Sequence, residues 1–217
     1  GIKGIPNFSE EIQINRDLKI LEYSSGKLHI PTISTKESVE LIKKAKSKGL
    51  DVTCSVAIHN LIFNEDKLKD FDTRFKVSPP LRTEKDRLAL INGVKKGIID
   101  MVTSDHSPID IENKKTDIDS ALNGTIGLES FFGAMLTIFS LDETIKILTS
   151  GKKRFGIDDS IIEEGSEADL SLFTTNSDYT FSKSNILSKS KNSAFLGMKM
   201  SGFPVGIVVK EKHMINE

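Results

Sequence analysis

Apolar positions along the chain change their period several times, and each change marks an element. Between Ser9 and Tyr23, the residues Ile14, Leu18 and Leu21 recur at helical spacing, which predicts a helix closed by Ser24-Ser-Gly26. Lys27 to Ile33 reads as a short strand ending in Thr32-Ile-Ser-Thr35. Ser34 and Glu37 have capping-box spacing for a second helix, which turns Val39, Ile42 and Ala45 inward and stops at Gly49. Val52 to Val56 alternates apolar and small polar residues, a second strand that runs out at Ala57-Ile-His-Asn60. Phe63 to Asp72 is charged and loop-like, and Phe75-Lys-Val77 reads as a third short strand ended by Pro79-Pro80. Thr83 is placed to cap a further helix, with Leu88, Ile91 and Val94 inward and Gly97 as its stop. The apolar run Ile98 to Val102 is the fourth strand, and it ends abruptly in Thr103, Ser104, Asp105, His106 and Pro108.

Beyond this point the polar stretch Ile109 to Thr125 predicts a long loop of the kind that binds or covers something. Leu128, Phe131 or Phe132, Met135 and Phe139 form an apolar helical stripe, read as core. Ser140 and Glu143 repeat the capping-box spacing ahead of a helix from Leu141 to Phe155. After Gly156 the helical period is lost. Ala168 to Phe173 and Val205 to Val209 alternate or run apolar, which predicts a small β unit.

Strand–helix alternation implies a parallel sheet. Strand tips carrying Thr32, His59, Ser78 and Asp105 then suggest half of a (β/α)8 barrel over residues 1–155, with a β appendix over 156–217. Polar groups at the C-terminal tips of parallel strands are where chemistry sits in such folds. Half a barrel cannot close, so its edges require completion by a preceding half or by a partner. The first residue is not methionine, which leads us to expect further chain upstream.

Composition narrows the class. A formal net charge of −1 over 217 residues gives no electrostatic case for nucleic acid or an anionic membrane. No apolar run approaches the ~20 residues of a membrane span. The single cysteine, Cys54, excludes an internal disulfide and fits a reducing, cytoplasmic setting. It lies mid-strand among apolar neighbours and reads as packing rather than as a nucleophile. Phosphate-binding glycine patterns are absent.

Several separated motifs share one resemblance. His59 after Val52-Thr-Cys-Ser-Val, then Lys76-Val-Ser-Pro-Pro-Leu-Arg82, then Thr103-Ser-Asp-His-Ser-Pro108 resemble dihydroorotases of the amidohydrolase superfamily. The likeness continues through Gly127-Leu-Glu129, Gly165-Ser-Glu-Ala-Asp-Leu170 and Ser188-Lys-Ser-Lys-Asn-Ser-Ala-Phe-Leu-Gly197. It implies the C-terminal portion of a (β/α)8 enzyme that closes N-carbamoyl-aspartate reversibly to dihydroorotate in pyrimidine synthesis. Zinc would generate hydroxide near neutral pH and polarise the amide carbonyl. Asp105 matches the proton-shuttling aspartate, His59 a histidine ligand, and Gly124 a glycine of the substrate loop. His106 is read as structural.

The departures from the pattern matter equally. Thr32 stands where a second histidine ligand is expected, and a hydroxyl is a poor zinc ligand beside imidazole. Ser78 replaces a substrate-binding asparagine, Ile109 a substrate-binding histidine, and Asn123 an aromatic residue. The remaining ligands would lie upstream of Gly1. His29 is a weak substitute, because an odd separation from Thr32 on a strand puts the two on opposite faces. The expectation is therefore a site in which zinc is weak or absent in this chain. Two classes of function stay open: a cyclic amidohydrolase, or an inactive relative serving as a folded partner, for instance of aspartate transcarbamoylase. A homodimer is a further alternative, and hydantoinase or allantoinase substrates are not separated by these motifs.

Overall fold

The computed structural model describes residues 4–158 and 161–215. The outermost residues of the two expected ranges, 1–3 and 216–217, lie outside them. Helix α1 (Asn7–Ser24) comes first and buries Ile14, Leu18 and Leu21, the three positions its period singles out. Strand β1 (Leu28–Ile30), helix α2 (Lys36–Ser47) and strand β2 (Val52–Ala57) follow. A single-turn helix α3 (Ile58–Ile62) carries His59, helix α4 runs Glu84–Lys95, and strand β3 is Met101–Thr103.

The three strands form one parallel sheet in the order β1-β2-β3. Leu28 pairs with Val52 and Ser55 with Met101. The strand expected at residues 74–78 is not formed. Thr73–Phe75 is a 3-10 turn, and β2 pairs directly with β3. The physical reason lies in Lys76, whose carbonyl is taken by Gly124 N–H at 3.0 Å and Lys114 Nζ at 3.1 Å.

Four helix expectations also shift. The cap of α2 is Thr35, whose hydroxyl accepts from Ser38 N–H, because the neighbouring Ser34 is drawn to Glu10 of α1. In α4 the buried positions are Asp86, Leu90, Gly93 and Val94, while Leu88 faces solvent. Asp86 is held inward by closing the capping box with Thr83 and by accepting from Lys36 N–H at 2.9 Å. Helix α5 (Phe131–Leu136) buries Phe132 and Met135 but leaves Leu128, ahead of it, exposed. Helix α6 (Leu141–Thr149) has the expected Ser140–Glu143 box but ends earlier than expected, giving way to a 3-10 turn at Lys153–Phe155.

The C-terminal region is an antiparallel sheet of β4 (Asp169–Thr180), β5 (Lys199–Val209) and β6 (Lys212–Ile215), in that order. The expected segments fall inside it, except that Ala168 lies one residue ahead of β4. It packs against α5 through Gly133, where an added Cβ would lie 2.7 Å from Tyr179 Oη and 3.1 Å from Met200 Cβ. Phe181, Phe195 and Met200 join the same apolar cluster as Ile14, Ile42, Val56 and Leu90. No described helix is long and apolar enough to cross a membrane.

Candidate functional site

Strands β1 and β3 end in short irregular tips and β2 runs straight into α3, and the chemistry-bearing residues sit at these three ends. Thr32 lies two residues past β1, His59 two past β2 and Asp105 two past β3. Thr32 and Asp105 both take left-handed backbone, with φ of 46° and 44°. Such conformations cost energy for residues other than glycine and persist only where the surroundings enforce them. At Thr32 the enforcement is visible: its N–H donates to Ser55 Oγ at 3.2 Å, and Ile33 N–H donates to Ser55 O at 2.9 Å.

His59 is fully buried, and neither ring nitrogen has a hydrogen-bond partner. Its Nε2 lies 3.8 Å from Asp105 Oδ2, too long for a hydrogen bond but close enough for both to face one small group between them. Burial depresses the imidazole pKa to about 4, so the ring is neutral with a lone pair free near neutral pH. Burial pushes the Asp105 carboxyl the other way, above its ordinary value. A neutral imidazole facing a carboxylate of raised pKa is suited to hold a cation or a polarised water.

Thr32 and Ser78 are brought together in a different way. Both line a cleft of about 440 Å3 along the open edge of β1, with Glu10, His29, Pro80 and Arg82. Arg82 is buried, and its Nε donates to Ser34 Oγ at 3.0 Å. His29 also borders this cleft, but its ring pairs with Thr53 Oγ1 at 3.0 Å and stands edge-on to Phe155. Thus His59 and Asp105 form one pair and Thr32 and Ser78 another.

Gly124 has φ of +141°, and a Cβ there would come within 2.7 Å of Ser107 Oγ and 2.9 Å of Ile109 Cγ1. Its N–H donates to Lys76 O and its carbonyl accepts from Asn192 Nδ2 at 3.1 Å, so both backbone groups are engaged. Asn123 beside it is exposed. The loop is pinned from within by Lys114, whose buried ammonium donates to Lys76 O and to Leu122 O at 2.9 Å. Sequence pattern does not single out Lys114. Its only signal is a lysine within an otherwise solvated charged loop.

Cys54 is fully buried, with its thiol pKa pushed up to about 12 by burial and by Asp100. That makes it a packing group and not a nucleophile. His106 is engaged elsewhere: its Nδ1 accepts from Leu128 N–H at 3.2 Å.

A zinc site takes three or four protein ligands. His59 and Asp105 are two, and among the described residues no group of three or more His, Cys, Asp or Glu side chains is placed to hold a metal ion. The orphaned nitrogens of His59 have the chemistry of a ligand, but the residues present do not fit a complete zinc site.

No family model matches the chain. Curated proteins do. A dihydroorotase of Acetivibrio thermocellus is 36% identical over 99% of this chain, and one of Bacillus subtilis is 35% identical over 98%. Among solved structures, the L-hydantoinase (dihydropyrimidinase) of Arthrobacter aurescens superposes with a TM-score of 0.89 at 30% identity over 97% of the chain. A D-hydantoinase at 23% identity, with a TM-score of 0.84, shares the fold. The class is therefore that of the amidohydrolase superfamily. Within it, the chain belongs to the dihydroorotase family. It spans about half the length of the curated relatives it matches, 54% of the first and 51% of the second.

Proposed function

We propose that this chain forms the C-terminal half of a dihydroorotase-type (β/α)8 barrel, with residues 1–155 as barrel and 156–217 as a β appendix. In this reading the complete protein interconverts N-carbamoyl-aspartate and dihydroorotate. The observation that carries it is His59, a buried imidazole with two unpartnered nitrogens facing Asp105 at 3.8 Å. A purely structural histidine so deeply buried would be expected to have a partner. Here the partner is supplied by what binds between the tips.

Zinc, when bound by a complete ligand set, would furnish hydroxide and polarise the amide carbonyl. This chain brings only part of that set. Asp105 is the proton carrier. In hydrolysis its carboxylate accepts a proton from the attacking water and delivers it to the departing ring nitrogen. In cyclisation the proton runs back, and water is released. Its raised pKa brings the carboxyl nearer the working range of a general acid and base.

A second reading is favoured by Thr32, Ser78 and Ile109, which replace an expected ligand and two expected substrate contacts. In that reading the protein is an inactive relative that serves as a folded partner, for instance of aspartate transcarbamoylase. Turnover in both directions by the complete protein, with its metal content, decides between them. The first reading expects Asp105→Asn to lower kcat by roughly 10²–10⁴-fold. Turnover that survives this substitution would refute the role given to Asp105.

A further inference from the structure

Asp105 sits on a backbone that an aspartate adopts only under constraint, with φ of 44°. The constraint can be traced through three segments. Gly127 presses against the turn so closely that a Cβ would lie 2.1 Å from Ser104 O. Leu128 N–H donates to His106 Nδ1 at 3.2 Å. An accepting Nδ1 leaves the hydrogen of the neutral ring on Nε2, which faces Ser188 Oγ at 3.4 Å. Ser188 in turn gives both its hydroxyl, at 2.5 Å, and its backbone N–H, at 2.8 Å, to Glu129 Oε1. The other carboxylate oxygen, Glu129 Oε2, is buried without a hydrogen-bond partner and lies 3.8 Å from His106 Nδ1.

The same three segments are laced by bonds from main-chain N–H groups. Ser107 N–H donates to Thr125 O at 2.9 Å, and Ile126 N–H donates to Asn192 O at 2.8 Å. Ala194 N–H donates to Thr125 Oγ1 at 2.8 Å. The order of support therefore runs from the loop 188–194, through 124–129, to the turn 104–107. A glutamate with one oxygen fully used and the other unpaired is a poor arrangement for stability alone. It makes sense if the task is to hold His106, and through it the turn, in one place.

We propose that Glu129 and Ser188 are positioning residues that fix Asp105 through His106, so that the C-terminal region takes part in setting the site. This rests on the reading above that Asp105 carries the proton. Loss of the Ser188 hydroxyl removes the link between His106 Nε2 and Glu129, which keeps only the Ser188 backbone N–H, and the turn relaxes from its left-handed conformation.

The test uses the complete protein and two independent readouts, amide hydrogen exchange over residues 104–107 and steady-state kinetics on dihydroorotate. Ser188→Ala and Glu129→Gln are each expected to speed exchange at this turn by about ten-fold relative to the rest of the sheet. Each should lower kcat by about ten-fold with KM little changed, as expected for a misplaced rather than absent group. Ser188→Thr, which keeps the hydroxyl, should restore both. Should Ser188→Ala fold poorly, Glu129→Gln, which keeps the side-chain shape, gives the same two readouts. Unchanged exchange at 104–107 in a folded variant overturns the proposal. So does a fall in kcat that Ser188→Thr fails to restore. If exchange quickens as expected but the unmodified protein shows no turnover, the bracket stands and the enzymatic reading falls.

Discussion

At the scale of single residues, His59 sets folding against function. Two buried nitrogens without partners cost free energy, about 1–3 kcal/mol for such a group. Replacing the ring by an apolar side chain of similar size removes that cost. The nearest polar atom, Asp105 Oδ2, is at 3.8 Å and forms no hydrogen bond that would be lost. His59→Leu is therefore expected to leave stability in urea unchanged or to raise it by up to about 2 kcal/mol, while abolishing turnover of the complete protein. A structural histidine would behave in the opposite way. Destabilisation beyond about 1 kcal/mol without loss of activity would show that the ring serves the fold.

At the scale of elements, two polar devices govern how pieces meet. Glu10 of α1 accepts from Ser34 N–H at 2.8 Å, from Thr35 N–H at 3.3 Å and from Ser38 Oγ at 2.6 Å, and also from Ser34 Oγ. It thereby closes the N-terminus of α2 and docks α1 on it, beside Arg82. Glu10→Ala should cost about 2–4 kcal/mol in denaturant unfolding, since several bonds to one charged group are lost together. A loss below about 0.5 kcal/mol would mean that water replaces the carboxylate.

The second device is Lys114. Burial, with repulsion from Lys76 and partial relief from Asp72, brings its ammonium down to about 8 from an ordinary 10.5. The unfolded chain then binds the extra proton between these values, so stability rises with pH from about 8 to 10.5. The difference between wild type and Lys114→Met isolates this slope from other groups. A flat difference curve over that window would contradict the assignment.

These elements also show what is legible in the sequence. Strand β2 is readable because apolar and small polar residues alternate, and β3 because its apolar run stops abruptly in polar residues. The antiparallel unit is readable because helical period ends at Gly156. The strand expected at 74–78 rests on local alternation alone. The competing partners of Lys76 lie far along the chain, at Lys114 and Gly124. The cap of α2 falls one residue from its expected place for the same reason, since Glu10 claims Ser34 from 24 residues away. Local pattern carries the elements. It does not carry the long-range bonds that decide between adjacent hydroxyls.

At the scale of the whole molecule, the parallel sheet has two free edges, β1 and β3, among the described residues, and the chain matches about half of its relatives' length. Catalysis therefore has to be judged on the complete protein. Ser78 borders the cleft with Thr32, and Ile109 packs against Gly124. In the resemblance, Ser78 and Ile109 stand at substrate contacts and Thr32 at a ligand. A hydrogen bond to a charged substrate contributes roughly 1.5–3 kcal/mol. Two such losses lower transition-state binding by on the order of a hundred-fold or more. In the proposed reading, a hydroxyl at Thr32 would weaken the metal further. We expect the complete protein to turn over slowly, and Thr32→His, Ser78→Asn and Ile109→His made together, with zinc supplied, to raise the rate by at least about a hundred-fold. Ile109→His brings a ring next to Gly124. A Cβ on that glycine would already stand 2.9 Å from Ile109 Cγ1, so the glycine must stay. Full turnover by the unmodified protein would sink the inactive-partner reading. It would also place the missing contacts on residues other than these three. No gain from the triple variant, with folding intact, would show that the scaffold around Asp105 has lost more than its ligands.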